Sequence, residues 1–194
     1  MMYNGAPKRL LDLAMGIAAL AIAIIPLTFA IVAVKLNSPG PAFFFQTRVG
    51  KDEKPFRIFK LRTMVVDTDR EITAQVKEKT PGVFAVGAFL RRFKIDEMPQ
   101  ILNVIKGDMS FIGPRPCLQL TADEMPQWAR RRFEVRPGIT GLAQANGNTR
   151  LSWEKRWWLD IQYIDRLSFS IDIWLLLKTV FVLILGEDKF GKMV

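Results

Sequence analysis

The chain has 194 residues, with 28 Lys and Arg against 19 Asp and Glu for a formal charge of +9, one cysteine and no histidine. Without histidine there is no Ser–His or Cys–His nucleophile, no imidazole base and no His-ligated zinc, and the lone Cys117 forbids an internal disulfide or CxxC chemistry. Reactivity must come from carboxylate, hydroxyl, Lys or Arg groups, and the positive balance points to an anionic partner: nucleic acid, acidic lipid or a phosphorylated substrate.

The first predicted element is apolar. Leu13 to Val34 is 22 residues without a charge, about 33 Å as a helix, which matches a hydrocarbon core of roughly 30 Å. The run is too long for a signal peptide, and no small-x-small cleavage site follows it. Lys8 and Arg9 precede it and Lys35, Arg48, Lys51 and Lys54 follow it, whereas a spanning helix gathers basic residues on its cytoplasmic flank only. Pro26 lies mid-segment and frees the carbonyl of Ile22, so a helix broken there can return to the leaflet it entered. A spanning helix with a tolerated proline accounts for the same residues.

Residues 37–50 open with a Pro/Gly turn before an aromatic run. Lys54 to Met64 sets Phe56, Ile58 and Leu61 against Arg57, Lys60 and Arg62, as a short strand would. Residues 66–82 read as a polar surface helix or loop. Pro99 suits a helix start and Gly107 its stop, and a further helix is predicted over Ala122 to Phe133. Trp153, Trp157, Trp158 and Trp174 crowd the C-terminal third, where Ile171 to Leu185 is apolar but for Asp172, Lys178 and Thr179. At about 22 Å this segment is short for a span. It suits an amphipathic helix in the headgroup zone, with a buried core helix as the plainer alternative.

Arg91, Arg92, Lys94, Asp96 and Glu97 precede Pro99. Acids near a helix N-terminus meet the positive end of its dipole, where phosphate also binds, and two adjacent carboxylates suit a shared Mg²⁺. An ordinary acidic first turn has the same composition. In Gly113-Pro114-Arg115-Pro116 the prolines restrict Arg115, which can clamp a phosphate or simply be solvated. Gly138, Gly141 and Gly147 permit a backbone anion nest. Cys117 reads as a packing residue, and Arg130-Arg131-Arg132 as a solvated or lipid-facing run.

Six motifs then occur in order: Gln46-x-Arg48-x-Gly50, Phe59-Lys60-x-Arg62-Thr63-Met64, Asp96-Glu97-x-Pro99-Gln100, Gly107-Asp108-Met109-Ser110, Gly113-Pro114-Arg115-Pro116 and Arg136-Pro137-Gly138-Ile139-Thr140-Gly141. Together they resemble the bacterial sugar transferases, the small monotopic phosphoglycosyl transferases, from the N-terminal segment to about residue 185. The resemblance implies a helix-rich α/β (α+β) monotopic membrane protein: a re-entrant helix-break-helix over 1–36, broken at Pro26, and a cytoplasmic catalytic domain with interfacial helices over 37–194. It implies transfer of a sugar 1-phosphate from a UDP-sugar to undecaprenyl phosphate at the cytoplasmic face of the bacterial inner membrane, releasing UMP and starting a glycan. The expected partners are therefore these two substrates and anionic phospholipid, not nucleic acid. Homodimerisation stays open.

Carried over by motif, Asp96 is the nucleophile, with Glu97 its partner in binding Mg²⁺ or handling protons. Arg91 and Arg115 fall at the phosphate-binding arginine positions. Lys60 and Arg62 join them as phosphate candidates, and Pro114, Pro137, Gly138 and Thr140 as nucleotide-loop candidates. Ile25 stands where the family often has serine before the proline, and Asn148 where it commonly has arginine after asparagine-glycine. A non-catalytic, membrane-tethered basic module is the rival reading. It is disfavoured because no base-reading or stacking motif is present.

Overall fold

The computed structural model describes residues 3–65 and 82–185, so the expected polar segment at 66–82 lies almost wholly outside the described residues. Helix α1 (Ala6–Asn37) starts with a proline in its first turn, and the Ser38 N–H closes its end on the Val34 carbonyl. It runs through Pro26 as one helix, correcting the expected break. Pro26 lacks the N–H that would reach Ile22, and the next turn is tied instead by the Thr28 hydroxyl, which donates to the Ile24 carbonyl. A single stripe of α1 is buried (Lys8, Asp12, Gly16, Ala23, Ala30, Val34), while Ile22, Ile24, Ile25 and Phe29 stand exposed. Removing each of those four from water is worth about 1.5–3 kcal/mol. Among the described residues α1 is the one helix long and apolar enough to cross a membrane.

Strands β1 (Phe43–Val49) and β2 (Pro55–Leu61) form an antiparallel hairpin with Phe44 opposite Lys60 and Arg48 opposite Phe56. Its two faces do different work. Leu61 and Phe43 pack under α1 with Ala30, Val34 and Leu90, whereas Phe56 and Ile58 join Val104 and Met109. The expected alternation is corrected in one respect: β2 is covered on both sides, so Leu61 faces away from Phe56 and Ile58, and Lys60 shares their face.

Helix α2 (Ala85–Arg92) leads through left-handed Lys94 into a 3₁₀ turn, Ile95–Glu97, and then α3 (Gln100–Lys106), whose N-cap is Pro99. Gly107 ends α3 at φ 99°, as the sequence predicts, because the left-handed conformation there suits glycine. Arg9 donates to the carbonyls of Val104 and Ile105, and Arg136 to that of Gly107. Both guanidinium groups thus satisfy the open carbonyl end of the helix. Asn103 takes an N–H from Phe59 and donates to the Arg57 carbonyl, fixing α3 on the hairpin.

Strands β3 (Ser110–Ile112) and β4 (Gly138–Thr140) pair in parallel. They approach so closely that a Cβ on Gly138 would lie 2.1 Å from the Gly113 nitrogen. The Gly138 N–H is taken by the Pro114 carbonyl, so the expected anion nest does not form at that glycine. The helix predicted over Ala122 to Phe133 is two elements, α4 (Gln119–Asp123) and a 3₁₀ segment, Gln127–Glu134, because Pro126 intervenes.

Helix α5 (Trp153–Asp165) is capped by Ser152, whose hydroxyl accepts the Lys155 N–H. Helix α6 (Phe169–Leu185) buries Leu175 against Tyr163 and Ile112 and exposes Trp174, Leu177, Val180 and Phe181. Buried polar side chains tie α1 to α6 and to β3. Asp172 of α6 binds Lys8 of α1 and accepts hydroxyl bonds from Tyr3 and Tyr163, while Asp12 accepts from the Ser110 hydroxyl and the Phe111 N–H.

Candidate active site

The hairpin, the 3₁₀ turn at 95–97, the loop after β3 and one face of α5 enclose a cavity of about 300 Å³, a size ordinary for small-molecule sites. Its wall carries eight basic side chains (Arg48, Lys60, Arg62, Arg91, Lys94, Arg115, Arg132, Arg156) against three acids, Asp96, Glu97 and Asp160. Such a wall concentrates anions.

Gln46 and Arg48 alternate onto one face of β1, beside Lys60 of β2, so the spacing of the first motif is that of a strand facing a site. Glu97 is held at 2.7 Å by Lys60 Nζ and at 2.6 Å by Arg115 Nη2. Burial alone would lift its carboxyl, but Arg115 and Lys60 outweigh burial and hold it well below the usual carboxylate range. Lys60 is lowered, chiefly by burial. Asp96 is only 8% exposed, and its Oδ1 finds no hydrogen-bond partner among the described residues. Burial first, then the charge of Glu97, raises its carboxyl above the ordinary aspartate value. The dyad is thereby split: one acid is fully ion-paired, while its neighbour keeps a lone oxygen in a desolvated cationic site.

Arg91 lines the cavity and donates through Nε to the Thr63 hydroxyl. Arg62 also borders it, yet its Nη groups are taken by Ser38 and the Pro39 carbonyl, so it chiefly fastens the end of α1. Pro114, Pro137, Gly138 and Thr140 lie outside the cavity lining. Pro114 and Gly138 join in a backbone bond, and Thr140 meets Thr179 at 2.8 Å.

Several cavity residues escaped sequence reasoning. Arg132, read as solvated or lipid-facing, is 5% exposed. It pairs with Asp160 and donates to the Arg115 carbonyl, bracing the loop that presents Arg115. Burial pushes Asp160 up to about 6 despite Arg132. Arg48 is pushed down to about 10 by burial and by the charge of Arg115. Cys117 packs with Val49, Ala122 and Phe133, as expected, while also bordering the cavity. Trp153 and Trp157, grouped by sequence with membrane anchors, line the cavity instead. The signal was present in the spacing, because Trp153, Arg156, Trp157 and Asp160 recur at i, i+3, i+4 and i+7, one face of a helix. Asn148, at φ 46°, also lines the cavity.

No group of three or more acidic or cysteine side chains that could hold a metal occurs among the described residues. The residues present fit Mg²⁺ in another form. The unpartnered Asp96 Oδ1 offers one ligand, and Mg²⁺ commonly takes one or two carboxylates and completes its shell with substrate phosphate and water.

A family profile described as bacterial sugar transferase matches residues 3–186. An uncharacterised sugar transferase of Bacillus subtilis is 40% identical over 183 residues, covering 93% of this chain and 88% of its own. A UDP-glucose:undecaprenyl-phosphate glucose-1-phosphate transferase of Caulobacter vibrioides is 40% identical over 94% of this chain and 72% of its own. A UDP-N-acetylgalactosamine-undecaprenyl-phosphate N-acetylgalactosaminephosphotransferase of Aeromonas hydrophila is 37% identical over 92% of this chain and 44% of its own.

Proposed function

Because the chain belongs to the bacterial sugar transferase family, we propose that it transfers a sugar 1-phosphate from a UDP-sugar to undecaprenyl phosphate, with Asp96 as nucleophile. The observation that carries this is the split dyad: a buried Asp96 oxygen without a partner, beside a Glu97 held by Lys60 and Arg115, in a cavity lined by eight basic side chains.

In the first step an Asp96 carboxylate oxygen attacks the β-phosphorus. The bond from that phosphorus to the bridging oxygen breaks, and UMP leaves with the oxygen and its electron pair. In the second, a phosphate oxygen of undecaprenyl phosphate attacks the same phosphorus and the Asp96 carboxylate departs. No proton need be transferred when both nucleophiles react as anions. This suits a chain without histidine. The obstacle is anion meeting anion. Arg115 and Lys60, fixed by Glu97, together with Arg91, meet it by stabilising charge on the diphosphate. Mg²⁺ held by Asp96, with Glu97, and the substrate phosphates would supply further charge neutralisation.

The relatives named above act on different UDP-sugars, so a panel of donors is the proper assay. Incubating the purified protein with each donor but no acceptor, then measuring intact mass, should give one phosphosugar adduct and an equivalent of UMP. Asp96→Asn should give neither. Full turnover by that variant would refute the assignment.

The burial pattern of α1 supports placement at the membrane. Its buried stripe lies against the domain from Lys8 near one end to Val34 near the other, whereas a helix spanning steeply would leave the domain beyond one end. This supports a monotopic arrangement at the cytoplasmic face of the inner membrane, with the exposed face of α1 in lipid. Tags at the N-terminus and after residue 50 should both be cytoplasmic, and tags on opposite sides would rule the arrangement out.

A further inference from the structure

The mechanism above uses the cavity wall around Asp96, Glu97 and Arg115. It leaves unused the end formed by α5 and the 3₁₀ turn Gln144–Asn146. That end is polar, aromatic and unsatisfied. Both amide atoms of Gln144, the indole Nε1 of Trp157 and Oδ1 of Asp160 are buried without a hydrogen-bond partner among the described residues. All three residues line the same cavity. Native interiors leave few buried polar groups unpaired, so a cluster of them on one wall marks a place where a partner is supplied from outside the chain.

We propose that this end binds the uracil ring of the nucleotide donor, with Gln144 reading the edge of the base. The inference rests on the UDP-sugar reading given above. A carboxamide carries a donor and an acceptor side by side, the complement of an imide edge that offers one N–H beside a carbonyl oxygen. Cytosine, with an amino group and no ring N–H on that edge, reverses the pattern and is matched only by the amide turned end for end, which would set the amino group rather than a carbonyl toward the Trp157 N–H. The Gln144 amide turns about a broad terminal torsion, so a small rotation presents both atoms to the cavity. The Trp157 N–H adds a second donor for a ring carbonyl. Beside it Trp153 and Trp157 stack with centroids 6.1 Å apart and planes 29° apart, and Arg156 lies 4.6 Å from the Trp153 ring. They form a flat wall of the kind on which bases rest.

The position also suits a nucleotide. Asp160, one turn beyond Arg156 on α5, holds Arg132; Arg132 holds the Arg115 carbonyl, and Arg115 holds Glu97. A base at α5 thus places its diphosphate toward Arg115 and the sugar-bearing phosphorus toward Asp96.

UMP and CMP titrated into the full-length protein in detergent, followed by tryptophan fluorescence, test this without turnover. Wild type should prefer UMP. Gln144→Leu should weaken UMP roughly ten- to a hundredfold and bring UMP and CMP together, and in turnover its loss should fall on KM for the UDP-sugar more than on kcat. Trp157→Phe, which keeps an aromatic ring but removes the N–H, should weaken UMP several-fold and covers the case in which Gln144→Leu does not fold. A Gln144→Leu protein that keeps wild-type UMP affinity and UMP-over-CMP preference would overturn the inference. So would one that alters only the choice between donor sugars, since that result places the sugar at this end. If wild type binds UMP selectively yet releases none from any donor, the transfer reading fails while the base site stands.

Discussion

The buried pair between Lys8 and Asp172 gives the sharpest test of how α1 is held. Lys8 and Asp172 side chains are 7% and 2% exposed, and Asp172 also accepts from Tyr3 and Tyr163. Lys8→Met keeps the length and apolar stem but removes the charge, leaving Asp172 buried with two neutral donors. Breaking a buried pair on one side costs about 3–5 kcal/mol, because the remaining charge is uncompensated. Near-complete burial means solvent screening discounts this little. For a chain of this size about 2–4 °C of Tm accompanies each kcal/mol, so Lys8→Met should lower Tm by roughly 6–20 °C in thermal unfolding in detergent or nanodiscs. Lys8→Met/Asp172→Leu removes both charges and should recover most of the loss. A Tm for Lys8→Met within about 2 °C of wild type would mean that the first turns of α1 are not docked on α6. The argument for a monotopic arrangement would then lose one of its two ends.

Two further outcomes follow from the site and its frame. Burial pushes Asp160 up to about 6 from an ordinary 3.8, so the folded state holds that proton more tightly than the unfolded one. The stability this contributes is complete below about pH 4 and lost as pH rises through 6, about 3 kcal/mol in total. Asp160→Asn should flatten that part of the stability profile between pH 4 and 7.5 in urea unfolding, and an unchanged profile would show that Asp160 titrates normally. Gly138→Ala puts a Cβ 2.1 Å from the Gly113 nitrogen and 2.4 Å from the Thr140 carbonyl oxygen. Neither backbone atom can swing away, so a loss above about 2 kcal/mol is expected, and a stable, active variant would show that the strands can part.

Much of the fold was readable wherever a residue acts through its own backbone or nearest neighbours. The apolar run of α1, the strand at β2 and the Gly107 stop are local properties, and the structure keeps all three, although Leu61 turns to the face opposite Phe56 and Ile58. The dyad and the arginine between prolines share their composition with an ordinary acidic turn and a solvated arginine, and it is the order of six motifs along the chain that makes them candidates. What could not be read depends on distant partners. Arg132 sits in a run of three arginines, of which Arg130 and Arg131 lie in exposed pairs with Glu53, Glu134 and Asp165. Only the approach of Asp160, from another helix, makes Arg132 interior. Gly138 looked like an anion-binding glycine, and its role as the point where two strands touch depends on Gly113, which is distant in the chain. Trp153 and Trp157 have a helical spacing that a lipid-facing anchor and a cavity wall share, and packing alone decides between them.

In the proposed mechanism, the split between the two adjacent acids is what lets the site work without an imidazole. Environments that push paired carboxyls in opposite directions mark a division of roles. Glu97, driven down by Arg115 and Lys60, remains ionised through the working range and keeps both cations aimed into the cavity. Asp96, raised by burial and by the charge of Glu97, keeps a lone pair that neither bonding nor hydration quenches. A carboxylate raised in this way is more basic, and so more nucleophilic, than a solvated one. Losing the Glu97 charge would therefore act twice: it would release the two cations and would also ease Asp96 back toward an ordinary aspartate. The adjacency of the two acids in sequence is what couples these effects, because a shared 3₁₀ turn fixes their separation whatever the rest of the cavity does.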